Sequence, residues 1–177
     1  DVALRFESVI RTQTGELAEG EQDRDAAGNI LIALSNAIYD PNISEKELAE
    51  KIGEVMNHEM IHAMKDLGLF TNEEYQALVK ATKDQKYTDR RGKTRLFTYF
   101  ERAQQLYAGD FPEVQEEEAV AELFRDWAAG RKKIGGKPAS LFKRIINFIT
   151  SLGRSVREEP DVKSIFEAIE SGQIGRR

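Results

Sequence analysis

Ser44-Glu45-Lys46-Glu47 has the form of a capping box, in which the serine hydroxyl accepts from the amide three residues on and the glutamate reaches back to the serine amide. Gly68 stands about six turns later, where a glycine closes a helix at no steric cost. Between these boundaries Leu48, Ile52 and Val55 step at helical spacing, and the same face continues through His58 to His62. One long helix is therefore specified, and both histidines of the chain lie on its inward face.

Residues four apart on a helix share a face, so His58 and His62 can reach one metal ion while Glu59 sits beside them. Asn-His-Glu-Met-Ile-His (57–62) spells H-E-x-x-H, the pattern of zinc-dependent peptidases. In that chemistry zinc polarises the scissile carbonyl and acidifies a water, whose proton goes to a carboxylate. A lone histidine on an inward face is more often a hydrogen-bonded core residue. Two of them flanking a glutamate point to Zn2+ as the cofactor, to Glu59 as general base and to a peptide or protein as substrate.

A catalytic zinc usually takes three protein ligands and keeps a fourth position for water. With no third histidine and no cysteine, the remaining ligand is expected to be a carboxylate, and 116–122 offers the best candidates. Val114, Glu118, Ala121, Phe124 and Ala128 form one inward helical stripe flanked by Trp127. An acidic residue inside an apolar stripe is costly unless it is paired or bound to metal, which singles out Glu118. Glu122, one turn on, suits a hydrogen bond to a ligand imidazole, whereas Glu117 projects about 100° away. The bland alternative makes 116–118 a solvated acidic first turn that complements the helix dipole.

These residues resemble the gluzincin metallopeptidases, in which H-E-x-x-H on one helix is joined by a glutamate on a later helix. That glutamate opens a Glu-Ala-x-x-Asp pattern, and Glu118-Ala-Val-Ala-Glu122 is similar, with Glu in place of the final Asp. The resemblance implies His58, His62 and Glu118 as ligands and Glu59 as base. It also implies a zincin-like fold: a helix-rich α+β domain with an active-site helix, a glutamate helix and a small edge β-sheet. The stretch from His62 through Glu122, and the closing Ile165–Arg177, resemble peptidase-like modules of large multidomain proteins of phages and conjugative elements. A module of that kind implies a fragment of a larger chain, in the cytoplasm or delivered with a virion.

At 177 residues and 40% hydrophobic content the chain can bury one core. A formal charge of −5 argues against general nucleic-acid affinity. No signal-peptide pattern and no apolar stretch of membrane-spanning length is present.

Along the chain, Leu4–Ser8 and Asn29–Ser35 read as strands, the latter bounded by Gly28 and Asp40-Pro41-Asn42, and Gly15–Gly28 reads as a polar loop. Thr71-Asn-Glu-Glu74 caps a second helix running to about Lys83, Asp84–Lys93 reads as a charged rim loop, and Thr94–Tyr107 as a third helix. Tyr87, Tyr99 and Tyr107 are candidates to hydrogen-bond the oxyanion, Tyr107 and Tyr87 foremost, although spacing does not choose among them and Tyr99 and Tyr107 are also explained as helix packing. Residues 131–157 hold eight basic side chains and no acidic one, interleaved with Leu141, Phe142, Ile145, Ile146, Phe148, Ile149 and Leu152. Gly135-Gly136 marks a boundary, so 1–134 is read as the metallopeptidase domain and 135–177 as a basic amphipathic segment packed on it, the alternative being a helix that lies on a membrane or in a partner's groove. The competing function is a zinc-binding structural or interaction module without turnover. Retention of Glu59 favours the enzyme, because structural zinc needs no base.

Overall fold

A computed structural model of the chain describes residues 2–7, 10–11, 17–18, 20–24, 30–35 and 42–158. The closing segment 165–177 and the turn signal at 40–41 lie outside the described residues. The first half holds strands β1 (Val2–Glu7), β2 (Ile10–Arg11), β3 (Leu17–Ala18), β4 (Gly20–Arg24) and β5 (Ile30–Ser35). β5 is the middle strand of a three-stranded sheet. It runs parallel to β1, with Val2 opposite Ile30 and Glu7 opposite Ser35, and antiparallel to β4, with Gly20 opposite Leu34 and Arg24 opposite Ile30. Its continuous apolar run suits a strand flanked on both edges. The polar Gly-Glu-Gln-Asp-Arg of β4 was expected within a loop; it pairs because ladder bonds come from the main chain, and charged residues are favoured at a sheet edge.

Helix α1 (Glu45–Asp66) starts as its capping box specifies: Ser44 Oγ accepts from the Glu47 amide at 3.2 Å and Glu47 Oε2 accepts from the Ser44 amide at 2.9 Å. Gly68 follows it with φ +66°, a left-handed conformation that glycine adopts without strain. Thr71 and Glu74 form the same reciprocal cap on α2 (Asn72–Asp84).

The stretch expected to form a rim loop and a third helix differs. β6 (Lys86–Thr88) and β7 (Thr94–Thr98) make an antiparallel hairpin, and the helix α3 begins only at Tyr99 and ends at Leu106. Two local devices explain this. Asp89 Oδ1 accepts from the amides of Arg91 at 3.0 Å and Lys93 at 2.9 Å, and Gly92 takes φ +77°, which closes a tight turn. Thr98 and Glu101 then form a third capping box, with the Thr98 amide donating to Glu101 Oε2 at 2.6 Å, so the β-branched and aromatic residues before it are left to the strand.

Helix α4 (Pro112–Ala128) packs against α1, α2 and α3, while α1 also lies against β4 and β5. Ile61 of α1, Leu78 of α2, Tyr99 of α3 and Val120, Leu123 and Phe124 of α4 are fully buried in the core between these helices. The α1–α4 pair is antiparallel: Glu54 of α1 meets Arg131 just beyond the end of α4, and Lys65 meets Glu117 near its start. The chain divides into two compact units, Asp1–Ala139 and Ser140–Arg177. Helix α5 (Gly136–Glu158) enters with Gly136 at φ +66°; along it Leu141, Phe142 and Ile145 are buried while Lys143 and Arg144 are exposed. The architecture is a helix-rich α+β arrangement. No helix among the described residues is long and apolar enough to cross a membrane.

Candidate metal centre

The fourth turn of α1 faces the second turn of α4, which brings His58 and His62 against Glu118. Each of the three offers one ligand atom, and these atoms all lie within 4.8 Å of one another. His58 Nε2 is 3.2 Å from Glu118 Oε2, and His62 Nε2 is 3.7 Å from Glu118 Oε1. The imidazole rings stand 5.1 Å apart, tilted by 59°. Glu118 Oε2 is buried with no hydrogen bond, although His58 Nε2 is close. The approach is thus not a directed donor–acceptor pair, and the charge set of two nitrogens and a carboxylate oxygen is one that a divalent cation satisfies. The three side chains keep 14–17% exposure, enough for an ion and a water to reach them.

Electrostatics support the grouping. Burial pushes the Glu118 carboxyl up, but the adjacent imidazoles of His58 and His62 and the Tyr107 hydroxyl outweigh it and hold its pKa at about 2. Burial lowers the His62 pKa, yet the hydrogen bond to Glu117 and the charges of Glu118 and Glu59 raise it to about 9. Metal-free, this cluster therefore holds a proton that a cation would replace.

Glu117 lies on the Nδ1 side of His62. Its Oε1 lies 2.7 Å from His62 Nδ1, and its Oε2 accepts from Lys65. Because a carboxylate can only accept, His62 Nδ1 carries the hydrogen, which leaves Nε2 as the atom for a metal. Glu122, expected in that position, instead pairs with Arg102 and lies 3.6 Å from Arg125. Two features of the packing account for the exchange. In an antiparallel pair, stepping from His58 to His62 moves toward the start of α4, away from Glu122. Moreover α4 is covered by three helices, so Ala119 through Phe124 are buried without interruption and more than one stripe faces inward.

Glu59 is buried on α1 between the histidines, and its charge acts on His62. Tyr107, the C-cap residue of α3, has its hydroxyl close to Glu118, and burial followed by that carboxylate pushes its pKa up. Tyr87 is elsewhere: it stacks on Phe97 at 5.7 Å and carries the Arg102 guanidinium over its ring at 4.5 Å. The Tyr99 hydroxyl donates to the buried Asp126 at 2.8 Å. Tyr75 was not anticipated; its hydroxyl is buried without a hydrogen bond, its pKa is pushed up by burial and then by Glu117, Glu116 and Glu118, and Lys65 Nζ sits 5.0 Å over its ring. The stripe Tyr75, Leu78, Val79, Thr82 on α2 carried the signal for it. Comparison of the chain with protein-family models, with curated proteins and with solved structures gives no match.

Proposed function

We propose that this chain is a zinc-dependent peptidase of gluzincin-like architecture that hydrolyses peptide bonds with Glu59 as general base. The observation that carries the reading is the convergence of ligand atoms of His58, His62 and Glu118 to within 4.8 Å, with Glu59 buried on the same helix, next to His58 in sequence. Bound there, zinc supplies a Lewis acid for the scissile carbonyl and lowers the pKa of the attacking water. His58 and His62 contribute neutral nitrogens, and Glu118 contributes the one negative charge of the ligand set. Glu117 fixes the tautomer and orientation of His62 through Nδ1, and Lys65 holds Glu117 in turn. Glu59 takes the water's proton and delivers it to the leaving amine. Tyr107, already at Glu118, is the donor placed to turn toward the oxyanion.

Among the described residues three ligands converge, a number that leaves a position open for water and substrate and supports turnover over a closed structural zinc. Cleavage of a quenched peptide library by the zinc-loaded chain tests the reading. Cleavage abolished by chelation and restored by zinc is the expected result; zinc binding without any cleavage would leave the chain a silent zinc module.

A further inference from the structure

A second concave site opens one turn along α4 from the metal group. It is a cleft of about 390 Å³ between the β6–β7 hairpin, α3 and α4, with Tyr87 in its wall. Five arginines line it against two carboxylates, Asp89 and Glu122, so its lining carries excess positive charge. These guanidiniums already show which group they take. Arg95 Nη2 is 2.6 Å from Asp89 Oδ2, and Arg102 pairs with Glu122 while its guanidinium carbon lies 4.5 Å over the Tyr87 ring. A planar guanidinium fork matches a carboxylate with two parallel hydrogen bonds, and a ring beneath fixes its orientation.

We propose that this cleft seats an acidic side chain of the peptide substrate, so that the enzyme prefers peptides with Glu or Asp close to the scissile bond. The proposal rests on the peptidase reading for its substrate, and on the cleft alone for its charge preference. Glu118 and Glu122 are one helical turn apart, about 6 Å along the axis, which is close to the span of two residues of an extended peptide. A substrate lying over the metal group therefore reaches the cleft within one or two residues. Asp89 and Glu122 within the lining disfavour a strand of repeated phosphodiesters, whereas a single carboxylate meets the arginine excess.

Calorimetric titration of the zinc-loaded Glu59→Gln chain with blocked tetrapeptides separates the possibilities without turnover. A peptide with one glutamate should bind at least about tenfold more tightly than its glutamine counterpart, as one added charge-assisted contact implies. That ratio should collapse toward one in Arg91→Gln/Arg95→Gln, whose positions on the exposed hairpin leave the core intact, and likewise in Arg102→Gln. Equal affinity for the two peptides overturns the proposal. So does a free C-terminus on the glutamine peptide that restores full affinity, which assigns the seat to a chain end. Displacement by a single-stranded oligonucleotide with steep salt dependence would assign the cleft to nucleic acid instead. A glutamate preference in a chain that cleaves nothing sustains the cleft and removes only the reaction.

Discussion

Glu117 and Glu118 are neighbours on α4 with different partners: Glu118 faces the Nε2 atoms of both histidines, and Glu117 holds the Nδ1 atom of one of them. A ligand deletion and an outer hydrogen-bond deletion differ in magnitude, so the two are separable. Glu118→Ala is expected to lose most zinc affinity, and Glu117→Ala to lose on the order of 10- to 100-fold. Glu122→Ala, whose carboxylate belongs to Arg102, should bind zinc nearly as the parent does. Zinc titration with a competing chelator measures all three. The trio His58, Glu59, His62 was legible because helical spacing alone places them on one face, and Glu118 because a charge inside an apolar stripe needs a partner. Glu117 was not legible. Its role depends on the antiparallel sense of two helices distant in sequence, which no local pattern encodes.

The same cluster gives a pH dependence with a definite sign. In the metal-free chain the His62 pKa is raised from 6.5 to about 9, so its contribution to stability is fully present below 6.5 and is lost as pH rises through about 9. Glu118, lowered from 4.5 to about 2, contributes above 4.5, and that contribution is lost as pH falls toward 2. Denaturant midpoints of the metal-free chain should therefore decline on the alkaline side between 6.5 and 9, and a flat profile there would contradict the His62–Glu117 bond. Loading zinc at neutral pH should release a proton, read as a dependence of binding heat on the buffer used.

Among the elements, α1, α2 and α3 share one device, a threonine or serine cap answered by a glutamate three residues on. Two of these caps stand directly before an apolar periodic run and are legible in the sequence. The third, Thr98 with Glu101, follows residues of the same apolar character that pair as a strand, so periodicity alone extends the helix back to Thr94. The β6–β7 hairpin depends on Asp89 and Gly92, whose turn bonds are formed by only a few residues and leave no periodic signal. The arginine cleft was illegible for a similar reason, since its side chains come from a hairpin and two helices. The tie between α1 and the end of α4 is also non-local. Arg131 Nη2 donates to Glu54 at 3.0 Å and to the buried Asp126 at 2.8 Å. Arg131→Ala should cost about 2–3 kcal/mol of stability, as lost hydrogen bonds between charged groups imply, and chemical denaturation would show it. No loss would mean that the tie does not order these helices.

Across the molecule, α4 is the element on which function and stability meet: it fills the core with Val120, Leu123 and Phe124, supplies Glu117 and Glu118, and borders the arginine cleft through Glu122 and Arg125. A cation bound between α1 and α4 should therefore stabilise the whole Asp1–Ala139 unit. With zinc at a hundred times its dissociation constant the gain is about 2.7 kcal/mol, seen as a rise in melting temperature that a chelator reverses. The proposed hydrolytic zinc at His58, His62 and Glu118, with Glu59 as base, stands or falls on peptide hydrolysis by the parent and by Glu59→Gln compared at matched zinc occupancy. Glu59→Gln should keep its zinc and lose cleavage, because glutamine preserves size but cannot take the proton; a Glu59→Gln chain that cleaves as fast as the parent would rule Glu59 out as the base.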